Sequence, residues 1–409
     1  MHSAMDAMSN SKQRYLRDPR VLLVLLAFTE KNILRYAVYA ISMIPVVGLI
    51  GNLIIPTMYI FLILLYCKKY GAKTSISSFL FLIFIFLSIF GTCIFYPQNV
   101  QYIFEPNNFW YTIFPCLRYF IVALVLIADD DMMDLLGKVS EWGILIEAAY
   151  VLLYMVPRGL MTDDEMSRAY QLLPNVLFCL IYLYNNKKNV FAWMCSIVGI
   201  IYVCSMGTRG PVLIMIAFLF LMFIKNSSSK IWTKILLTVL IGSVIVLIMQ
   251  TQLYMNCLVD LQSVLKSLGV STRVLDIAIR GETLSHVSER DILFQSGFDM
   301  IRMRPLLGYG VYGAWPVIGY AVHNLYLEFW IDFGIIGGTV FLLWIVQLVL
   351  KVFFKTMNEN MRDLIIAFGC FVFIRGFVGG GYLTFGMFFL IGMCLNEWRR
   401  IKWGIDSND

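Results

Sequence analysis

The chain has 409 residues, of which 60% are hydrophobic and 14% are charged, and its mean hydropathy is +0.77. Soluble domains carry about 25% charged residues, so this composition excludes an ordinary soluble enzyme or binding protein. The net charge of +6 does not indicate a nucleic-acid partner, because the lysines lie in short loops between apolar runs, where membrane topology accounts for them.

Apolar runs long enough to cross a bilayer predict an all-α, polytopic integral membrane protein with about twelve transmembrane helices. Residues 1–30, which precede them, are expected to form a basic, partly amphipathic lead-in. The pattern divides the chain into an N-terminal transmembrane region (1–250), a large loop (251–322) and a C-terminal transmembrane region (323–409). In chain order the predicted spans are 33–50, 52–67, 76–96, 110–128, 142–157, 169–184, 190–206, 211–225, 232–250, 330–350, 363–378 and 382–397.

The basic residues predict the orientation of these spans. Lysine-rich loops follow alternate spans, and the positive-inside rule places them, together with both termini, in the cytoplasm. The 251–322 loop then faces outward. The lysine-rich loops are 68–73, 187–188, 225–234, 351–362 and 399–402.

The outer side carries arginine almost exclusively. A guanidinium group binds phosphate or carboxylate through two parallel hydrogen bonds, which lysine cannot do. An anionic ligand on the outer side therefore explains the bias as a whole, whereas snorkelling or pairing with Asp163, Asp164 or Glu165 explains a single arginine equally well. The outer basic residues are Arg118, Arg158, Arg168, Arg209, Arg273, Arg280, Arg290, Arg302, Arg304, Arg375 and the single Lys266.

Cysteine usage predicts neither a metal centre nor a disulfide. All nine cysteines except Cys257 lie in or at the ends of apolar spans, and Cys257 is alone in the outer loop. The sequence contains no C-x-x-C pair. We therefore expect no bound metal and no cofactor.

Two motifs resemble known dinucleotide-binding and metal-binding sequences, but their sequence context does not support such sites. Gly308-Tyr-Gly-Val-Tyr-Gly313 matches G-x-G-x-x-G, but a dinucleotide site needs a strand before it and a helix after it. This copy follows Arg-Pro in the external loop, so a tight turn is the favoured interpretation. Asp129-Asp-Asp131 resembles the metal-binding D-x-D of nucleotide-sugar enzymes, but it lies at an inner helix end, where a solvated acidic loop is favoured.

The strongest functional signal is the junction at which the outer loop meets the tenth predicted span. His323 begins the junction, and Asn324 and Glu328 follow four residues apart, on one face of a helix. The glycines within 334–338 come next and permit close helix approach. Because His323 and Glu328 are five residues apart, the carboxylate can orient the imidazole only if the start of the helix is irregular.

Two arginines from distant parts of the chain belong to the same outer surface. Thr208-Arg209-Gly210 opens a span there, and Arg290 lies in a Ser-Glu-Arg-Asp segment that predicts an external helix running to about 301.

These features resemble the O-antigen polymerase/ligase superfamily, which contains Wzy-type polysaccharide polymerases and WaaL-type ligases. The resemblance rests on Thr208-Arg209-Gly210 before a span, the long external loop, the Pro-Leu-Leu-Gly-Tyr-Gly turn at 305–310, and His323-Asn-x-x-x-Glu328 with its trailing glycines. It is specific within residues 205–340. The familiar form of the first motif has Ser where this chain has Thr208, a change that keeps the hydroxyl.

The resemblance implies a GT-C-like, inverting, metal-independent glycosyltransferase of the bacterial plasma membrane, with its active site facing the periplasm or exterior. The implied donor is an undecaprenyl-diphosphate-linked oligosaccharide, with Arg209 and Arg290 binding the diphosphate and His323 acting as the base. Arg302 and Gly313 also fit an R-x10-G spacing described for polymerases. Supporting or substrate-binding candidates are Arg302, Arg304, Asn324, Glu328, Arg158, Arg375 and Arg118.

The expected function is polymerisation of lipid-linked repeat units for O-antigen, capsule or exopolysaccharide, with membrane lipid, a chain-length regulator and a flippase as expected partners. Two alternatives stay open. A ligase would transfer the lipid-linked glycan to a lipid A-core acceptor. A transporter or flippase could use the same arginines, but it is expected to place polar residues at mid-span and to show internal repeat symmetry, and we find no clear repeat.

Overall fold

The computed structural model describes residues 16–30, 48–70, 76–105, 108, 112–155, 166–205, 209–226, 252–267, 279 and 289–404, and at Arg209 and Arg290 the backbone alone. Over these ranges it contains helices and no β-strand, so the all-α prediction is confirmed there. The helices of eleven or more residues are α1 (Pro19–Thr29), α2 (Gly48–Tyr70), α3 (Ile76–Phe95), α4 (Phe114–Leu124), α5 (Asp130–Tyr150), α6 (Met166–Asn185), α7 (Val190–Ser205), α8 (Arg209–Asn226), α9 (Gln252–Ser267), α10 (Glu289–Met303), α11 (Leu325–Lys355), α12 (Glu359–Val378) and α13 (Phe385–Trp403).

Most predicted spans coincide with helices. Two of them differ in extent, because α4 covers only part of 110–128 and α5 begins well before residue 142. The predicted span 232–250 and most of 33–50 lie outside the described residues. The helix expected from the Arg290 segment is confirmed as α10, and its external location stays a prediction.

Two of the described helices are long and apolar enough to cross a bilayer by themselves. They are α3 and α11, whose most apolar 18-residue windows have a mean hydropathy of 2.6 and 2.3, respectively. Parts of α1, α4, α7 and α8 are apolar over shorter stretches. A total of about twelve spans and a GT-C-like arrangement remain predictions.

An aromatic cluster joins four helices at the centre of the bundle. The ring of Phe28 in α1 has its centroid 4.7 Å from that of Phe178 in α6 and 5.3 Å from that of Phe389 in α13, both edge to face. Phe368 in α12 contacts all three rings. Such aromatic pairs stabilise a fold by about 0.5–1.5 kcal/mol each beyond the burial of their area.

Helix α1 corrects the prediction for residues 1–30. Asp18 caps it by accepting the backbone N–H of Arg20 at 2.8 Å, and Val21 and Val24 are completely buried. The part of the lead-in that the structure describes is therefore a core helix. Beyond Arg20 its side chains are apolar on every side, and a helix of that kind is buried rather than amphipathic. Its eleven residues span about 16 Å, too short to cross a bilayer.

Helix α11 is broken at Gly334. This residue has φ 72° and ψ 169°, so the nine residues before it and the long apolar segment after it are separate helical pieces. A side chain at this position would also overlap the carbonyl group of Leu306. Glycine is required here for both reasons, because positive φ is costly for other residues and a Cβ has no space.

The turn at 305–310 pairs the backbone groups that the break releases. Interrupting a helix leaves N–H and C=O groups without intrahelical partners. Here the turn runs beside the break and supplies replacements. The hydrogen bonds run from Ile335 N–H to the Pro305 carbonyl (2.7 Å), from Tyr309 N–H to the Ile331 carbonyl (2.7 Å) and from Gly310 N–H to the Asp332 carbonyl (2.9 Å).

The same turn is fixed to the end of α3. Asn99 donates through its side-chain amide to the carbonyls of Tyr309 (2.8 Å) and Val311 (3.0 Å), and the Tyr96 hydroxyl donates to the Gly308 carbonyl (3.1 Å). Gly308 and Gly310 of the turn have φ 66° and 75°. The G-x-G-x-x-G segment is thus a tight turn, as expected, and it joins α3 to α11.

Contacts elsewhere join helix ends that the positive-inside rule places on one side. Lys69 pairs with Asp18 at 3.4 Å, and Lys225 pairs with Asp363 at 2.6 Å. The Asn360 amide donates to Asp130 at 2.7 Å. The assignment of that side to the cytoplasm remains a prediction.

We predict that Gly334→Ala lowers stability by at least about 1–3 kcal/mol, because the new residue is strained and meets the Leu306 carbonyl. Thermal unfolding in detergent measures the effect. Gly369→Ala in α12 is the matched control, since a Cβ there meets nothing within 4 Å and alanine favours a helix by about 1 kcal/mol. Equal melting temperatures for the two variants would contradict the requirement for glycine at the break.

Candidate functional site

His323 is exposed and lies in the left-handed region, with φ 57°, immediately before α11. This conformation costs a non-glycine residue about 1–2 kcal/mol, so the surrounding structure must impose it. Asn324 follows as the N-cap, and its side-chain oxygen accepts the N–H groups of Tyr326 (3.0 Å) and Leu327 (3.1 Å). The amide oxygen of Asn324 therefore holds the helix start, which leaves His323 accessible beside it.

A glycine turn at 379–381 gathers the predicted site residues. Gly380 pairs with Asn324 in an isolated parallel bridge, and a Cβ on Gly380 would lie 2.8 Å from Cγ of Arg375. A Cβ on Gly381 would overlap the carboxylate of Glu328. Glycine is needed here because two charged side chains pass over the turn. The structure thereby brings Asn324, Glu328 and Arg375 to one place, next to His323.

The irregular start of α11 allows Glu328 to reach back to His323. The backbone N–H groups of His323 and Tyr382 face the Glu328 carboxylate, while its Oε1 atom is buried without a hydrogen-bond partner. The contact expected for an irregular helix start was with the imidazole ring, whereas the described contact is with the backbone amide of His323, so the orienting role of Glu328 stays a prediction.

Asp332 is a site residue that the sequence interpretation missed. It is buried one helical turn after Glu328. Its Oδ1 accepts the N–H of Gly313 at 3.0 Å, and its Oδ2 accepts the hydroxyl of Tyr382 at 2.7 Å. The neighbouring Tyr312 is also enclosed, and burial raises the pKa of its phenol above the usual range, which keeps it protonated at neutral pH.

A signal for Asp332 was present in the sequence. Acidic residues inside an apolar helix are costly and usually mark function. Glu328 and Asp332 are spaced by four residues, so they lie on one face of the first segment of α11. Their partners come from the Tyr312–Gly313 turn and from Tyr382, which no local pattern connects to them.

Arg375 and Arg118 differ in whether a described carboxylate forms an ion pair with them. Arg118 in α4 is buried and forms an ion pair with Glu30 at 2.8 Å. Arg375 in the last turn of α12 is partly buried, with its guanidinium carbon 4.5 Å from the ring centroid of Tyr170 and 5.4 Å from that of Phe371. Its Nε is buried without a hydrogen-bond partner, and no described carboxylate pairs with it. Arg375 is therefore available to an anionic ligand, whereas Arg118 has a structural role.

The other predicted arginines are distributed as follows. Arg302 and Arg304 are exposed, one at the end of α10 and one in the turn after it. Arg209 is the first residue of α8 and Arg290 is the second of α10, so both stand at helix N-termini. Their side chains and all of Arg158 lie outside the described residues.

A small apolar cavity adjoins the polar cluster. Tyr382 separates the two, because its hydroxyl donates to Asp332 while its side chain contributes to the cavity wall. The cavity wall comes from α3, α4, α11 and α13 as well as from the external turn. Representative lining residues are Ile85, Ile89, Cys116, Val311, Phe333 and Phe388.

The Asp129–Asp131 segment forms the N-terminus of α5. Asp129 caps this helix by accepting the N–H of Met132 at 2.7 Å, and Asp130 accepts the side-chain amide of Asn360 at 2.7 Å. Across the described ranges, no group of three His, Cys, Asp or Glu side chains could hold a metal ion. These acidic residues are thus explained by helix capping, and the eight cysteines described are free thiols.

The described part of the chain thus combines apolar helices, two of them long enough to cross a bilayer, with a polar, arginine-containing cluster at helix ends. Residues 191–342 match the family described as O-antigen ligase, a segment that includes Arg209, Arg290, His323 and Asp332. This match over residues 191–342 supports the O-antigen polymerase/ligase superfamily, whose members are bacterial membrane proteins of polymerase or ligase type. No curated protein and no solved structure matches the chain significantly.

We predict that Tyr382→Phe destabilises the protein by about 1–3 kcal/mol, because it removes the hydroxyl that pairs with the buried Asp332 carboxylate. Thermal unfolding of the detergent-solubilised protein measures the loss. Tyr320→Phe is the control, since Tyr320 is 66% exposed. If both variants unfold at the wild-type temperature, the Asp332–Tyr382 hydrogen bond does not hold the site together.

Proposed function

We propose that this protein joins undecaprenyl-diphosphate-linked oligosaccharide repeat units into a polymer at the outer face of the bacterial plasma membrane. The observation that carries the proposal is that an accessible histidine and an arginine with no described carboxylate partner flank one glycine turn. Histidine is the commonest general base, and a guanidinium group is a preferred phosphate ligand. A chain-length regulator and a flippase are the proposed protein partners.

In the proposed reaction, a hydroxyl of the acceptor glycan attacks the anomeric carbon of the donor glycan. The glycosidic bond forms as the anomeric C–O bond to the diphosphate breaks, with inversion at that carbon. The hydroxyl proton passes to the neutral imidazole of His323. The electron pair of the broken bond stays on undecaprenyl diphosphate. A positioned general base contributes about 10²–10⁴ in rate.

The leaving diphosphate needs positive groups that are fixed before the reaction. Arg209 and Arg290 are the diphosphate ligands that family membership implies, and both stand at helix N-termini, where the helix dipole also favours an anion. Arg375 is a third candidate, because no described carboxylate neutralises it. Loss of one such donor typically costs about 10²–10³ in rate.

The apolar cavity supports a lipid-linked donor. Cys116 lines the cavity and also lies near Arg375 and Tyr312. In this proposal, a donor whose diphosphate contacts Arg375 has apolar side chains near the start of its polyprenyl chain, although the cavity itself is too small to enclose an isoprene unit. Glu328 and Asp332 act as positioning residues in this proposal, since one faces the backbone of His323 and the other binds Tyr382.

A ligase reaction is the second candidate, and it is compatible with the description of the matched family as O-antigen ligase. The same bond breaks, but the acceptor is lipid A-core instead of another repeat unit. The phenotype of a deletion strain separates the two functions. Loss of a polymerase leaves surface lipid capped with single repeat units, whereas loss of a ligase leaves polymer on the undecaprenyl carrier.

We predict that His323→Ala reduces glycan transfer by about 10²–10⁴, because the acceptor hydroxyl loses its base. Electrophoresis of surface glycan from cells expressing the variant should show short products only. Tyr320→Ala, an exposed neighbour before α11, is the control and should give the wild-type ladder. Undiminished long chains from the His323 variant would reject the catalytic role.

We predict that Arg375→Gln lowers transfer by about 10²–10³ and weakens binding of undecaprenyl diphosphate without lowering the unfolding temperature. Arg118→Gln should behave in the opposite way. It leaves Glu30 as a largely buried carboxylate with no cation beside it, hydrogen-bonded to the Tyr59 hydroxyl alone among the described groups, and it destabilises the fold by about 3 kcal/mol, while the folded fraction still binds the ligand. Binding titrations and thermal unfolding of both variants test this, and equal binding by wild type and Arg375→Gln would contradict it.

A further inference from the structure

A basic and apolar segment, residues 302–307, is presented at the surface of the external region. All six residues are exposed. The large side chains are exposed to an unusual degree, with Met303 at 68%, Leu306 at 65% and Leu307 at 81%. Single exposed leucines are common on protein surfaces, but a contiguous apolar patch marks an interaction site.

The backbone of this segment is fixed, so the leucines cannot turn inward without breaking the fold. The Pro305 carbonyl accepts the N–H of Ile335 at 2.7 Å, and the Leu306 carbonyl packs on Gly334. Just after the leucines, the Gly308 carbonyl accepts the hydroxyl of Tyr96. The exposure of Leu306 and Leu307 is therefore built into the helix break.

The segment also lies where two apolar helices end. Beyond Gly334, helix α11 exposes Ile336 (62%), Val340 (62%) and Leu343 (63%) along its length. Helix α3 exposes Phe95 (76%) at the end that precedes Tyr96. Because α3 and α11 are the two described helices long and apolar enough to cross a bilayer, these exposed apolar side chains are suited to contact with lipid. The leucines of the turn continue that apolar surface at its outer limit.

Two arginines flank the leucines. The side chain of Arg302 is 75% exposed and, among the described residues, its ionic partner is the exposed Asp299. Arg304 is exposed above the ring of Tyr309. At a bilayer surface, arginine keeps its aliphatic stem along apolar groups and its guanidinium among lipid phosphates. The arginines are thus suited to the head-group layer of a bilayer, and the leucines that follow them are suited to the acyl chains.

We propose that residues 302–307 anchor the external region to the outer leaflet, with Leu306 and Leu307 in the acyl-chain boundary and Arg302 and Arg304 on phospholipid phosphates. The anchor does not depend on the proposed transfer reaction. It gives the two exposed arginines a role that is separate from the site around His323. It also holds α10, which carries Arg290, at a constant height above the membrane.

The experiment is site-specific photocrosslinking of the full chain in vesicles of phosphatidylethanolamine and phosphatidylglycerol. The photoreactive residue p-benzoylphenylalanine replaces Leu307 in one variant. In the control it replaces Gln295, an exposed polar residue of α10 that lies about 12 Å back along the helix axis from Met303. Mass spectrometry then identifies the adducts.

Position 307 should yield phospholipid adducts roughly tenfold above those at position 295, because the acyl chains exclude water there. Lipid yields that are equal at the two positions, or adducts at 307 with a second polypeptide instead, overturn the anchor. Replacing Arg302 and Arg304 by Gln should lower the share of phosphatidylglycerol among the 307 adducts by roughly two- to fivefold. An unchanged share overturns the role of the arginines.

Discussion

The break in α11 at Gly334 is the constraint on which the described external region depends. Buried N–H and C=O groups that lose their helical partners cost about 1–3 kcal/mol each if nothing replaces those partners. The turn at 305–310 replaces them with backbone hydrogen bonds and is itself bonded to the end of α3. Because main-chain groups make these links, two apolar helices hold the external turn in a fixed position, whatever side chains the rest of the loop carries.

The break also allows a polar site to stand at the end of an apolar helix. The short segment before Gly334 carries Glu328 and Asp332, and both carboxylates turn toward protein groups instead of lipid. Asp332 binds the external turn through Gly313 and binds the turn before α13 through Tyr382. One carboxylate therefore joins three parts of the chain around the start of α11, where His323 is exposed. Positioning of this kind is required for general-base chemistry at a membrane surface.

An ion pair with a carboxylate distinguishes the arginines that stabilise the fold from those that are available to a substrate. Arg118 and Arg168 both belong to the set that the sequence places on the outer side, yet each forms a buried ion pair, with Glu30 at 2.8 Å and with Glu147 at 3.2 Å. Removing one member of such a pair leaves an uncompensated charge, which makes both arginines structural. Arg375 packs on aromatic rings, and no carboxylate among the described residues pairs with it. The collective arginine bias thus includes residues with a structural role, and ligand binding by the others stays a prediction.

The sequence by itself determined the all-α class, most helix positions and the tight turn at 308–313, and it indicated the candidate site at His323 and the resemblance to the superfamily. Apolar length, glycine placement and motif spacing are local properties, so they can be read without a fold. Only the tertiary structure decided that α1 is a core helix, that Arg118 has a partner and that Asp332 belongs to the site. The contacts responsible join residues far apart in the chain, 88 positions for Arg118 and Glu30 and 50 for Tyr382 and Asp332. No local pattern specifies such pairs, because they form only when separate helices pack together.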